Sequence, residues 1–106
     1  GALSVTSPVL PAVRDLPDGR RSFFNQLIAA YRGWSDSRNS AARSIRFGDG
    51  SPISPDDMAD AVSLGDELSH NLAWRAGDVA LVDNFLVMHG RRPFEGRRRV
   101  LASLVK

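Results

Sequence analysis

The chain has 106 residues, which is enough for one compact domain and too few for two. It contains no cysteine, so disulfides, thiolate metal sites and cysteine nucleophiles are excluded. The formal net charge is +2. No apolar run approaches the roughly 20 residues that cross a bilayer, and no signal-peptide pattern opens the chain. We therefore expect a cytoplasmic protein with no membrane partner.

Arginine supplies all the positive side chains except Lys106. A nucleic-acid surface normally mixes lysine with arginine and has a larger excess of positive charge. Arginine alone favours bidentate carboxylate or phosphate recognition and fixed ion pairs. We therefore expect no nucleic-acid partner. The rival interpretation is a basic hairpin that grips phosphates through Arg91, Arg92, Arg97, Arg98 and Arg99.

Turns and short apolar runs alternate in the first half of the chain. Residues 1–13 contain two prolines, as an edge strand or an extended arm would. The stretches 16–21 and 48–52 each contain Asp-Gly and predict turns. Between them, residues 21–31 are apolar enough to be buried, and strand and helix periods compete there. Residues 32–46 are rich in arginine and serine and show no clear period.

One amphipathic helix is predicted from Ser54 to about Leu68. Ser54 is a good N-cap, Pro55 suits the first helical position, and two aspartates follow where the helix dipole favours negative charge. The apolar positions recur at i, i+3, i+4 and i+7. They are Met58, Ala61, Val62 and Gly65. His70, just beyond the helix, is expected to be solvated and not to bind metal.

From Trp74 onward the pattern predicts strands. Asp78, Asp83 and Asn84 are interpreted as turn formers whose side chains bond nearby backbone. The runs 79–82, 85–89 and 97–105 are typical of strands, and the last two would form a hairpin around the turn at 93–96. Phe94 is interpreted as core or turn packing. The sequence therefore predicts a mainly β fold with one or two helices.

The hairpin register brings a histidine and an arginine onto one face. With residues 94–95 in the loop, Arg91 faces Arg98, and His89 lies diagonally from Arg98. Diagonal neighbours on such a face are about 7–8 Å apart. His89 and Arg98 could then hold the two ends of one small dicarboxylate, with a metal at one end and a guanidinium at the other. A bulge of one residue would flip the parity and change the arginine. The alternatives are Arg97 and Arg99.

The run WRAGDVALVDNFLVMHGRRPFEGRRRVL resembles the C-terminal signature of the TauD/TfdA-type Fe(II)/2-oxoglutarate-dependent dioxygenases. It is most similar to the branch of clavaminate-synthase-like and SyrP-like amino-acid hydroxylases. Upstream, SPVLPAVRDLPDGRRSFFNQ and IRFGDGSPIS resemble further parts of the family pattern, so the resemblance extends from about Pro8 to Val105. It implies a double-stranded β-helix, or jelly roll, that holds Fe(II) on two histidines and one carboxylate.

The resemblance implies a role for individual residues. His89 matches the distal iron ligand, which makes it the candidate catalytic and metal-binding residue. Arg98 matches the arginine that binds the far carboxylate of the cosubstrate 2-oxoglutarate, with Arg99 as the second choice. The reaction implied consumes O₂, decarboxylates 2-oxoglutarate to succinate and hydroxylates a small molecule, for which an amino acid is a candidate. The possible border of the active site comprises Asn25, Gln26 and Arg91.

The chain departs from the family pattern at the first two iron ligands. The family has a His-x-Asp or His-x-Glu pair, whereas His70 is followed by Asn71 and Leu72. We therefore expect residues 1–106 to be the C-terminal portion of one dioxygenase domain, with the upstream half as its partner. Alone, it is expected to be inactive and to self-associate through open sheet edges. The alternative function is a catalytically inactive β-fold fragment for interaction or oligomerisation.

Overall fold

A computed structural model describes residue 3 and residues 5–33 and 44–105 of the chain. Most of the stretch 32–46, which showed no clear period, lies outside these ranges. Within these ranges the complete elements are strands β1 (Arg14–Asp15) and β2 (Arg21–Ser22) and helices α1 (Leu27–Gly33) and α2 (Pro55–Glu67). The two strands are antiparallel, with Arg14 opposite Ser22 and Asp15 opposite Arg21.

The two predicted Asp-Gly turns are confirmed. In the first, the N–H of Leu16 donates to the carbonyl of Arg20 at 2.8 Å, which closes the β1–β2 connection. In the second, an antiparallel bridge closes residues 46–52. Gly19 and Gly50 have φ of 82° and 84°. These angles lie in the left-handed region, where a side chain is costly and glycine is favoured.

The competition between strand and helix in residues 21–31 is resolved by a change of structure within the segment. Strand β2 ends at Ser22 and α1 begins at Leu27. Asn25 makes the transition, because its Oδ1 accepts from the N–H of Leu27 at 2.9 Å. Its Nδ2 donates to the carbonyl of Ala12 at 2.8 Å, so the same side chain ties the start of α1 to the N-terminal arm.

The predicted helix is confirmed as α2. The Oγ of Ser54 accepts from the N–H of Asp56 at 3.2 Å, which satisfies one of the free donors of the first turn. Pro55 is the first helical residue, and Leu68 is the C-cap. Met58, at the start of the apolar stripe, is buried. Local signals in the sequence therefore fix the start of α2.

Helix α1 packs against α2 at a glycine. A Cβ placed on Gly65 would lie 3.0 Å from Cδ1 of Ile28, so a side chain there would require the end of Ile28 to shift by a few tenths of an ångström. Arg32 of α1 also holds the carboxylate of Asp66 with two hydrogen bonds, of 3.2 and 2.5 Å. Arg92 approaches the same carboxylate at 3.9 Å. Asp66 therefore links both helices to the segment that contains Arg92.

The strands predicted in the last third of the chain are not formed. Residues 71–105 contain no strand, so the hairpin between 85–89 and 97–105 and its register are absent. An extended segment needs a neighbour to pair its N–H and C=O groups, and here it has none. Helix and sheet are both present as expected, but the sheet of the described residues is limited to β1 and β2. These residues alone do not form a jelly roll.

Burial in this chain is slight. Among the described residues, Ala30 and Met58 are the buried apolar side chains and Ser22 is the buried polar one. The chain exposes 10244 Å², whereas a folded monomer of 11.5 kDa exposes about 5,800 Å². Exposed apolar side chains occur both in residues 3–74 and in residues 79–105, where Leu81 and Leu104 are almost fully exposed. None of the helices in the described ranges has the length and apolar composition needed to cross a bilayer.

Candidate functional site

The turn at residues 93–96 places two arginines on one aromatic ring. The Cζ atoms of Arg91 and Arg98 lie 5.1 and 5.2 Å from the centroid of the Phe94 ring. A guanidinium within about 6 Å of a ring centroid is attracted to the ring quadrupole. Gly96 has φ of 85°, so the chain reverses between the two arginines. Arg91 and Arg98 therefore converge although no strand pair joins them.

These two guanidiniums have no carboxylate partner among the described residues. Arg92, the residue after Arg91, does have partners. It donates to Oδ1 of Asn71 at 3.4 Å and approaches the carboxylate of Asp66. An unpaired guanidinium is a fork of N–H donors that matches a carboxylate or a phosphate. The turn can therefore bind an anion that the described part of the chain does not itself supply.

Of the three consecutive arginines after the turn, one is distinguished by its contacts. Arg98 lies on the Phe94 ring, whereas Arg97 and Arg99 are exposed and have no ring contact or ion pair within the described ranges. Phe94 is 47% exposed, so of the two predicted roles packing in a core is wrong, whereas packing within the turn agrees with its contacts to Arg91 and Arg98. The sequence does not predict that Phe94 contacts two guanidiniums, because no local pattern in the Pro-Phe turn indicates it.

His89 lies in the extended segment that precedes the turn. It is exposed, and it has no hydrogen bond, ion pair or ring contact to another described residue. The described residues contain no group of three or more His, Asp or Glu side chains that could hold a metal ion. An imidazole suits iron, but one ligand cannot fix a ferrous ion against water. The described residues alone therefore do not fit an iron site.

The segment that leads to His89 is anchored to the small sheet. The Oγ of Ser22 donates to the carbonyl of Phe85 at 2.6 Å. The Phe85 and Phe24 rings are 5.4 Å apart, and the Cζ of Arg14 lies 4.1 Å from the Phe85 centroid. The turn before Phe85 is also held as predicted, since Asp83 Oδ1 accepts from the N–H of Phe85 at 3.0 Å. Sequence reasoning missed Ser22 and Arg14, because no local pattern relates them to Phe85.

The other proposed border residues have partners at the start of α1 and none in the arginine turn, the described segment from Arg91 to Arg98. Asn25 is occupied by its two bonds at the start of α1. Gln26 is exposed, and its carbonyl accepts from the N–H of Ala30 at 2.8 Å as the first bond of α1. No hydrogen bond or ion pair within the described ranges joins either side chain to Arg91 or Arg98. Within this chain, the structure gives both residues a part in the beginning of α1.

An open groove lies beside the Gly77-Asp78 turn. It has a volume of about 200 Å³ and is lined by residues 72–74 and 78–80. Asp78 is the one titratable side chain in that lining, and its Oδ2 accepts from the N–H of Arg75 at 2.9 Å, as a turn former should. Since ligand pockets usually measure about 300–1,000 Å³, this groove is a weaker candidate than the arginine turn.

Comparison with known proteins relates this geometry to a family. Residues 6–104 match the model of the taurine catabolism dioxygenase TauD, TfdA family. A clavaminate synthase-like protein of Arabidopsis thaliana is 44% identical over the whole of this chain, which spans 32% of that protein. The dapdiamide synthesis protein DdaC of Enterobacter agglomerans is 44% identical over 56% of this chain and 18% of its own length. The chain therefore belongs to the TauD, TfdA family of dioxygenases.

Proposed function

We propose that this chain is the part of a non-haem Fe(II)/2-oxoglutarate-dependent oxygenase that binds the far carboxylate of 2-oxoglutarate and contributes one iron ligand. The observation that carries the proposal is the presence of two unpaired guanidiniums on the Phe94 ring, in the segment that follows His89. Membership of the TauD, TfdA family supports it at the level of the reaction class. In that reaction, 2-oxoglutarate is decarboxylated to succinate while a substrate is hydroxylated with O₂.

Arg98 is assigned to the carboxylate. Its guanidinium can donate two parallel hydrogen bonds to the two carboxylate oxygens, and it has no competing acid in the described part of the chain. A hydrogen-bonded contact to a charged group contributes on the order of 1.5–3 kcal/mol. Loss of Arg98 should therefore weaken 2-oxoglutarate binding more than tenfold, whereas loss of Arg97 or Arg99 should not.

His89 is assigned as one iron ligand, with the remaining ligands supplied from outside the described residues. Its imidazole is exposed and makes no hydrogen bond to another described residue, so both ring nitrogens are available. The anchor at Phe85, four residues earlier, holds one end of the segment on the small sheet. His89 therefore lies on a segment that is anchored at Phe85. This segment has no neighbouring strand with which to pair its backbone.

We assign residues 1–106 to one portion of a single jelly-roll domain, and the rest of that domain is the first partner. This is supported by the length relation, since the chain spans 32% of the Arabidopsis relative. It is also supported by the surface of 10244 Å², much of which would be buried by neighbouring strands. Substrate residues would then come partly from the rest of the domain.

The substrate is proposed to be a small molecule, with an amino acid as the candidate class. The sequence resembles amino-acid hydroxylases of the family, and one relative is named for dapdiamide synthesis. A second candidate function, an inactive fragment that oligomerises, is favoured by the exposed apolar side chains of residues 79–105. The two functions differ in whether the arginine turn binds 2-oxoglutarate.

The deciding experiment compares three single substitutions in the whole protein that contains this chain. Arg98→Ala should weaken the binding of 2-oxoglutarate more than tenfold, as measured by calorimetry with Fe(II) in the absence of oxygen. Arg97→Ala and Arg99→Ala are the matched controls and should bind nearly as the unmodified protein does. If Arg99 is the sensitive position, the assignment of Arg98 is wrong. If none of the three matters, the inactive fragment becomes the better interpretation.

A further inference from the structure

We propose that Phe94 is a positioning residue for carboxylate recognition, and that Arg91 is a second guanidinium for the same carboxylate. This inference rests on the proposed function, in which Arg98 binds the far carboxylate of 2-oxoglutarate. It adds two residues to that site: Phe94, whose side chain has no polar atom, and Arg91, which is a second cation.

The contacts of Phe94 carry the first half of the proposal. Its ring is 47% exposed, so little of it is used in packing. The cation–ring contacts that involve it are those of Arg91 and Arg98, at 5.1 and 5.2 Å from the centroid. Each attraction restricts a long side chain that would otherwise sample many rotamers in water. The ring therefore lowers the entropy that the arginines lose when an anion binds.

The charges of the turn carry the second half. Because Arg91 and Arg98 share one ring centroid, their Cζ atoms lie no more than about 10 Å apart. Two cations within that distance repel each other, and one anion bound by both relieves the repulsion. Both side chains are exposed and have no acidic partner in the described part of the chain, so each can turn toward a shared carboxylate. Arg92 cannot take this role without giving up Asn71 and Asp66.

The test uses two 2-oxoacids of equal chain length. 2-Oxoglutarate carries the far carboxylate, whereas 2-oxopentanoate ends in a methyl group, so only the first can use the arginine turn. Binding of each acid is measured by calorimetry on the whole protein with Fe(II) and without oxygen. The readout is the ratio of the two affinities, which a general loss of structure would leave unchanged because both acids share the 2-oxoacid end.

Phe94→Leu should weaken 2-oxoglutarate binding about 2- to 5-fold, the order expected of one exposed cation–π contact, and leave 2-oxopentanoate unchanged. Phe94→Tyr keeps the ring and should retain the affinity ratio of the unmodified protein. Arg91→Ala should lower the ratio in the same direction as Phe94→Leu. Phe47→Leu is the matched control, since Phe47 is 55% exposed and has no cation contact among the described residues.

The outcomes separate this inference from the function on which it rests. If Arg98→Ala lowers the ratio and Phe94→Leu does not, the positioning role is wrong while the proposed function stands. If Phe94→Leu weakens both acids equally, Phe94 has a structural role only. If Arg98→Ala itself leaves the ratio unchanged, the far carboxylate does not bind at this turn and both proposals fall. Should Phe94→Leu not fold, the Phe94→Tyr and Arg91→Ala ratios decide, and an unchanged Arg91→Ala ratio refutes the shared carboxylate.

Discussion

Replacing Leu81 with serine in the isolated 106-residue chain should weaken self-association without weakening the helices. Leu81 is 101% exposed, so within one copy of the chain its side chain buries nothing that the substitution would lose. Residues 79–105 contain further apolar side chains that are almost fully exposed, among them Leu104 at 98%. We expect two or more copies to cover these side chains mutually, because unpaired extended backbone and exposed apolar surface both favour association.

The magnitude follows from the exposed area. The chain exposes 10244 Å², about 4,400 Å² more than a folded monomer of its mass. Obligate interfaces bury about 2,000–5,000 Å² summed over both partners, or about 1,000–2,500 Å² on each, so the excess is more than one such interface needs. Fully burying one leucine contributes about 1.5–3 kcal/mol. Leu81→Ser should therefore weaken association roughly 10- to 150-fold.

Sedimentation velocity over a concentration series gives the association constant, and circular dichroism on the same samples gives the helical content. Met58→Ser is the contrasting control, because Met58 is buried at 3% exposure on α2. It should lower the thermal midpoint of the helical signal and leave the contribution of residues 79–105 to association intact. A chain that stays monomeric at every concentration would refute the reasoning. So would an association constant that Leu81→Ser leaves unchanged.

Two further predictions concern single side chains. In the whole protein, His89→Ala should abolish iron-dependent turnover and lower the bound iron measured by metal analysis, because a three-ligand site that loses one imidazole holds Fe(II) poorly. Full iron content would contradict the assignment. Asp66→Asn should lower the stability of the α1–α2 pair at neutral pH, since the hydrogen bonds from Arg32 hold the pKa of Asp66 below its usual value of 3.8. A lowered folded-state pKa stabilises the fold above the unfolded-state pKa, and this contribution is lost as pH falls below about 3.8 through the folded-state pKa. The difference between Asp66→Asn and the unmodified chain, measured by helical circular dichroism, should therefore disappear in acid, and a difference that persists there would contradict the linkage.

The parts of the fold that the sequence predicts are those with local signals. Ser54 and Pro55 place the start of α2 because the capping bond and the proline ring act within one turn. Gly19 and Gly50 mark the two turns because their φ angles require glycine. Strand and helix periods compete in residues 21–31 because Ser22 belongs to a strand and Leu27 begins a helix.

The remaining features depend on residues far apart in the sequence. The runs 79–82, 85–89 and 97–105 have the composition of strands, but a ladder needs a neighbour that the described residues do not offer. The bond from Ser22 to Phe85 joins positions 63 apart, which no periodicity indicates. The convergence of Arg91 and Arg98 follows from the turn, yet the contact runs through the Phe94 ring and not through paired backbone.

The lack of strand pairing in residues 88–105 also determines where the chain is most easily cut. Proteases bind their substrates as extended strands, and a segment with few buried contacts opens at little cost. This one carries five arginines, at positions 91, 92 and 97–99. Four of them are cleavage sites for an arginine-specific protease, whereas the bond from Arg92 to Pro93 resists cleavage. Two of the four, Arg91 and Arg98, carry the proposed carboxylate contact. Wherever this segment lacks neighbouring strands, degradation therefore begins at the residues on which the proposed activity depends.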